Sequence, residues 1–170
     1  QGQGGDDDLI GGDGIDEADY SQSGSGVVVD LDANLATNDG EGGTDTLSGM
    51  ENLAGSNFDD VIGGNNSDNT LEGNAGSDIF TGAGGVDIID GGAGRDTVDY
   101  SAVPGIVSVD LDASTASQDG DASTDTLISI EDVVGSNQDD IILGNDSDNT
   151  LAGGQGNDLL RGAGGFDTLD

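Results

Sequence analysis

Residues 55–99 read GSNFDDVIG GNNSDNTLE GNAGSDIFT GAGGVDIID GGAGRDTVD, five nonapeptides in uninterrupted tandem. Each opens on Gly, carries Asp or Asn at its sixth place and an apolar residue at its eighth: Ile62, Leu71, Phe80, Ile89 and Val98. One apolar residue in nine cannot line a helix, whose buried positions recur every three or four residues. It can make a short strand that points one side chain inward. The same pattern runs through 2–10 and 11–19, with Leu9 and Ala18 at the eighth place. It returns at 135–143, 144–152, 153–161 and 162–170, with Ile142, Leu151, Leu160 and Leu169.

A longer period contains the short one. Residues 11–90 align with 91–170 at a constant offset of 80, with no insertion. Asp19-Tyr20-Ser21 returns as Asp99-Tyr100-Ser101, and Ser67-Asp68-Asn69-Thr70-Leu71 as Ser147-Asp148-Asn149-Thr150-Leu151. The chain divides into nonapeptides at 1–19, an irregular β segment at 20–54, five nonapeptides at 55–99, a second irregular segment at 100–134 and four nonapeptides at 135–170. Neither end falls on a repeat boundary, so a piece of a longer array is expected. The chain opens without a secretory signal, and export would require one outside this segment.

Composition narrows the chemistry. Thirty-six acidic residues face two arginines, Arg95 and Arg161, for a formal charge of −34. With 33 glycines and only 3% aromatics, apolar burial alone cannot offset chain entropy and self-repulsion. A multivalent cation is the direct remedy. Cysteine and histidine are absent, which removes disulfides, the usual zinc and haem sites, and His- or Cys-based catalysis. Carboxylates and backbone carbonyls remain, hard oxygen donors suited to calcium or magnesium, with calcium favoured where flexible loops supply many ligands. Two arginines cannot grip a phosphate backbone, so nucleic acid is excluded as a partner. No apolar run approaches the ~20 residues of a membrane span.

Within a nonapeptide, glycines at the first, second and fourth places allow positive φ and bring carbonyl oxygens together beside the sixth-place carboxylate. The turn is a half-site for a hard cation. Two half-sites from successive coils would supply six or more oxygens, with parallel strands and inward apolar side chains between them.

The pattern Gly-Gly-x-Gly-x-Asp-x-apolar-x, cleanest in 11–19 and 91–99, resembles the hemolysin-type, or RTX, calcium-binding repeat. The resemblance implies an all-β, right-handed parallel β-roll, a solenoid interrupted here by irregular coils and long loops. Two nonapeptides would make a coil and several calcium ions would sit between turns eighteen residues apart. Carried over by position, it pairs Asp60 with Asp78, Asp78 with Asp96, Asn69 with Asp87, Asp140 with Asp158 and Asn149 with Asp167, and gives Asp7 and Asp16 the same role. Asn69 and Asn149 lack the charge and are expected to be weaker ligands. Phe58 and Gln138 stand where the fourth-place Gly belongs, which puts the turns of Asp60 and Asp140 in doubt. Residues 46–54 read as a degenerate nonapeptide, with Glu51 placed to partner Asn69, as Glu131 is to partner Asn149.

The irregular segments carry β-branched runs at Val27-Val28-Val29 and Val107-Ser108-Val109, followed by polar stretches. They read as one irregular coil with a long loop from Ala33 to Gly43. Asp30-Leu31-Asp32-Ala33-Asn34 with Glu41 echoes an EF-hand loop, but Leu35 occupies the place of its glycine. Tyr20 and Tyr100 are expected to pack at a coil edge. The repeated acids form no unique catalytic pair, and the segment is not expected to be an enzyme. No outward threonine ladder recurs at the nine-residue period, which argues against an ice-binding roll.

Two functions fit. One is a calcium-stiffened rod in an adhesin, surface layer or filament, with copies of itself or neighbouring repeats as further partners. The other is the carboxyl-terminal secretion and folding module of an exoenzyme or toxin. In both, the resemblance implies a large secreted protein leaving a Gram-negative cell by type I export and folding outside on calcium.

Overall fold

The computed structural model describes residue 2, residues 4–117 and residues 123–170. Residues 1 and 3 of the first block, and 118–122 of the second irregular segment, lie outside the described residues. The fold is an all-β roll of two large sheets and a two-stranded one, Ala75–Gly76 with Ala93–Gly94, with no helix among the described residues and so none able to cross a membrane. The first sheet runs Asp8–Ile10, Asp45–Ser48, Leu35–Asn38, Val28–Asp30, Val61–Gly63, Ile79–Thr81, Thr97–Asp99, Asp132–Val134, Thr150–Ala152 and Thr168–Leu169. The second runs Glu17–Asp19, Asn52–Ala54, Thr70–Glu72, Ile88–Asp90, Thr124–Ile128, Thr115–Ser117, Ser108–Asp110, Ile141–Leu143 and Leu159–Arg161.

Successive nonapeptides alternate between the sheets, so each strand pairs in parallel with the strand eighteen residues on. The register stacks the eighth-place residues on one another: Ile62, Phe80, Val98, Val133 and Leu151 in the first sheet, and Ala18, Leu53, Leu71, Ile89 and Leu127 in the second. These side chains form part of one buried cluster between the sheets, and Phe80 is the largest of them. The core is therefore one side chain deep from either side. Tight turns make this possible: the missing side chain of Gly94, at φ 151°, faces the backbone of Gly76 in the neighbouring coil. Any larger residue there would force the coils apart.

The irregular segments differ from a coil with a long loop. Each is a three-stranded antiparallel meander set into one sheet in place of a single strand: Val28–Asp30 pairs with Leu35–Asn38, and that with Asp45–Ser48. Residues 33–43 thus contain a strand. It escapes the sequence pattern because its only fully buried residue is the small Ala36, between half-buried Leu35 and exposed Thr37. The stretch resembling an EF-hand loop is a hairpin turn, in which Asp30 Oδ1 accepts the amides of Asp32 at 2.8 Å and Ala33 at 2.9 Å. Asn34 adopts φ 56° to complete it. Asp110, Asp112, Ala113 and Ser114 repeat the turn.

The first meander lies in the first sheet and the second in the second sheet. The cause is arithmetic. Between them six single strands alternate faces, Asn52–Ala54 through Thr97–Asp99, so one superrepeat occupies seven half-coils, an odd number. Residues 80 apart therefore occupy opposite faces, as Val29 and Val109 do. Each meander lengthens its sheet by two strands, about 10 Å at the usual strand spacing. Opposite placement cancels that wedge and leaves sheets of ten and nine strands. Deleting residues 82–90 makes the count even and is expected to put both meanders in the first sheet. Small-angle scattering should then report a bent particle, whereas a straight particle merely shortened would contradict this account.

Candidate metal centres

The candidate ligands occupy the turns that lead into the strands, and a hydrogen-bond ladder aligns them. At each junction the backbone amide of one sixth-place residue donates to the carboxylate of its counterpart in the next coil. Asp60 N donates to Asp78 Oδ1 (2.8 Å), Asp78 N to Asp96 Oδ1 (2.9 Å), Asn69 N to Asp87 Oδ1 (2.8 Å), Asp140 N to Asp158 Oδ1 (2.9 Å) and Asn149 N to Asp167 Oδ1 (3.0 Å). The structure thus brings together every pair that the eighteen-residue spacing predicts. Asp60, Asp78, Asp87, Asp96 and Asp140 are all buried.

The ladder consumes one oxygen and leaves the other facing the turn. Among the described residues, Oδ2 of Asp16, Asp78 and Asp96 is buried without a hydrogen-bond partner. Carbonyl oxygens of the next coil face the same space: a Cβ placed on Gly73 would lie directly against Asp78 Oδ2 and 2.7 Å from Gly91 O. One on Gly91 would lie 2.6 Å from Asp96 Oδ2 and directly against Ser129 O. The seams of Asp78 and Asp96 thus bring oxygen acceptors together around a carboxylate oxygen that has no donor, the lining a hard cation requires. Among the described residues, no group of three or more acidic side chains gathers into a metal cluster. Backbone carbonyls would supply the remaining ligands, so the residues present fit calcium.

Without a cation this arrangement is costly. Desolvation, reinforced by Asp60 and Asp96, pushes the Asp78 carboxyl up to about 7. Burial likewise raises Asp60, Asp96 and Glu131.

Some junctions close differently. Asp60 is satisfied by protein donors: Ser56 N to Oδ2 at 2.6 Å, Ser56 Oγ to Oδ1 at 2.7 Å and Val27 N to Oδ1 at 2.8 Å. Ser136 and Val107 treat Asp140 the same way. The decisive change lies at the second place, Ser for Gly, rather than at Phe58 or Gln138. Asn69 donates through Nδ2 to Glu51 O at 2.7 Å, and Asn149 to Glu131 O at 2.8 Å, so a carboxamide N–H bridges the coils. Glu51 therefore meets Asn69 through its carbonyl, while its carboxylate accepts Asp16 N at 2.9 Å. Glu131 likewise accepts Asp96 N at 2.9 Å.

Two ladder members escape the nonapeptide count. Asp45 and Asp125, both buried, accept the amides of Asp7 at 3.0 Å and Asp87 at 2.9 Å across 38 residues. A signal existed: residues 40–48 read GEGGTDTLS, with Gly first and fourth, Asp sixth and Leu eighth. That frame is hidden because it overlaps the one chosen at 46–54. Nor does spacing reveal Arg95, whose guanidinium grips Asp132 at 2.6 and 2.8 Å and reaches Asp148 O and Thr150 Oγ1. This is the one ion pair among the described residues. At the offset of 80 the same two places hold Ile15 and Asn52, so both charges are gained together.

Asn69→Asp should convert a self-bridged junction into a cation seat. Without calcium the new carboxylate would face Glu51 O, costing about 1–3 kcal/mol. With calcium the variant should bind more metal than the parent and recover its stability. Equal ion counts by native mass spectrometry, with the loss of stability persisting in calcium, would contradict this.

A family model for the RTX calcium-binding nonapeptide repeat matches residues 63–98 and 134–169, in four copies. No curated protein matches the chain. With the alternating two-sheet roll already described, these matches identify the nonapeptides: over these residues the chain carries RTX calcium-binding nonapeptide repeats.

Proposed function

We propose that this segment is a calcium-dependent structural module of a secreted protein, a rod element that remains open until it meets calcium and then stiffens. The observation that carries the reading is the set of buried carboxylate oxygens on Asp16, Asp78 and Asp96 with no protein donor. In a chain of charge −34 with two arginines, one of them committed to Asp132, the neutralising charge must come from solution.

Repulsion among the acids holds the metal-free chain extended, a form suited to passage through an export channel where calcium is scarce. Outside, at millimolar calcium, each ion would neutralise a seam and link two coils. Binding energy then becomes folding energy. Type I export from a Gram-negative cell agrees with this sequence of events, and the sites listed by position in the nonapeptides, Asp7, Asp16, Asp60, Asp78, Asp87, Asp96, Asp140, Asp158 and Asp167, would share the ions unequally. The 80-residue superrepeat favours a rod over the folding module of an exoenzyme, because a pattern that balances its two faces is built to continue without curving. The reading gives the segment no catalytic role.

Circular dichroism is expected to show coil in excess chelator and strand on adding calcium, in one cooperative rise. Retained strand structure in chelator would overturn the reading. Further 80-residue units in the parent protein would support the rod, and a neighbouring hydrolase or zinc-binding domain would contradict it.

A further inference from the structure

The first meander contains an acid that the nonapeptide pattern does not account for. Asp39 precedes the Gly of 40–48, so it is not a sixth-place residue, yet it is only 2% exposed. Its Oδ1 accepts the amides of Glu41, Gly42 and Gly43, each at 2.8 Å. Its Oδ2 is buried with no hydrogen-bond partner. Three amide donors hold the group ionised, outweighing the desolvation that pushes its carboxyl upward.

The orphan oxygen faces other oxygens. A Cβ on Gly43 would lie 2.7 Å from Asp39 Oδ2 and directly against Gly5 O, so both border one space. Nearby, Tyr20 donates its hydroxyl to Asp45 Oδ2 at 3.2 Å, and a Cβ on Gly2 would lie 2.6 Å from Asp45 Oδ2 and 3.1 Å from Asp7 Oδ2. A cavity of about 310 Å³, lined in part by Tyr20, Ser23 and Glu41, opens beside them. Both arginines lie elsewhere in the sequence.

We propose that Asp39 Oδ2 and Gly5 O hold a calcium ion of their own, outside the sixth-place ladder, which pins the loop of the first meander to the preceding coil. The inference rests on the calcium reading above but names ligands that the repeat pattern does not supply. Its purpose is mechanical. A coil that carries a meander closes over 38 residues rather than eighteen, and an ion there ties the far end of the first meander's loop to the preceding turn at Gly5.

The test uses the whole chain, with calcium and with terbium(III) as a luminescent substitute. The chain has no tryptophan, and its two tyrosines, Tyr20 and Tyr100, belong to the meander units. Bound terbium excited through tyrosine therefore reports on these loops. Asp39→Asn is expected to remove one calcium ion by native mass spectrometry and to lower the sensitised emission, with strand content kept in calcium. An unchanged ion count and emission, in a roll that otherwise loads calcium, would overturn this site alone. A chain that takes up no calcium would overturn it together with the calcium reading. Should the variant fail to fold, anomalous diffraction from the unsubstituted chain in calcium decides: a peak between Asp39 Oδ2 and Gly5 O supports the site, and its absence in a roll whose ladder is loaded sinks it.

Discussion

The amide-to-carboxylate bond between coils, Asp78 N to Asp96 Oδ1 and its repeats, is the contact on which the rest of the roll depends. It sets the register, because one donor and one acceptor per turn match only when strands are displaced by a full coil. It also buries a charge in every seam. A roll with one inward side chain per strand has too little apolar surface to absorb that cost, so the same bond that aligns the coils makes them require a counter-charge. Fold and metal dependence arise from a single residue position.

The seams are not uniform, and the differences follow the superrepeat. Ser56 and Ser136 supply the donors that Asp60 and Asp140 need, while Asn69 and Asn149 replace a carboxylate and its ion with an amide N–H. Arg95 adds a side-chain cation where Asp132 and Thr150 belong to successive coils. Each superrepeat thus combines junctions closed by the protein itself with junctions whose carboxylates, on the proposed reading, are left to solution cations. Because seven half-coils make the superrepeat, equivalent junctions and equivalent meanders fall on alternate faces, and neither sheet accumulates strain.

The nonapeptides were legible because glycine, aspartate and one apolar residue recur at places with separate physical duties: turn, ligand and core. Their inward row, from Ile62 through Leu151, follows directly from the eighth place. The meanders were not legible to the same degree. Strand Leu35–Asn38 is announced by no β-branched run, and its buried Ala36 contributes too little hydrophobicity to stand out. Asp45 was hidden by an overlapping frame. The role of Ser56 depends on where its hydroxyl points once the turn is formed, which spacing cannot express. Alternation of faces needs a count of half-coils, and that count needs the meander to be recognised as one unit.

Cations are expected to occupy the seams whose carboxylates lack protein donors and to avoid those the protein closes itself. Anomalous diffraction from crystals grown in calcium tests this most directly. Peaks are expected beside Oδ2 of Asp78 and Asp96, and none at the seams bridged by the Asn69 and Asn149 side chains to Glu51 O and Glu131 O. Empty seams at Asp78 and Asp96 in a folded crystal, or equal peaks at the asparagine bridges, would contradict it.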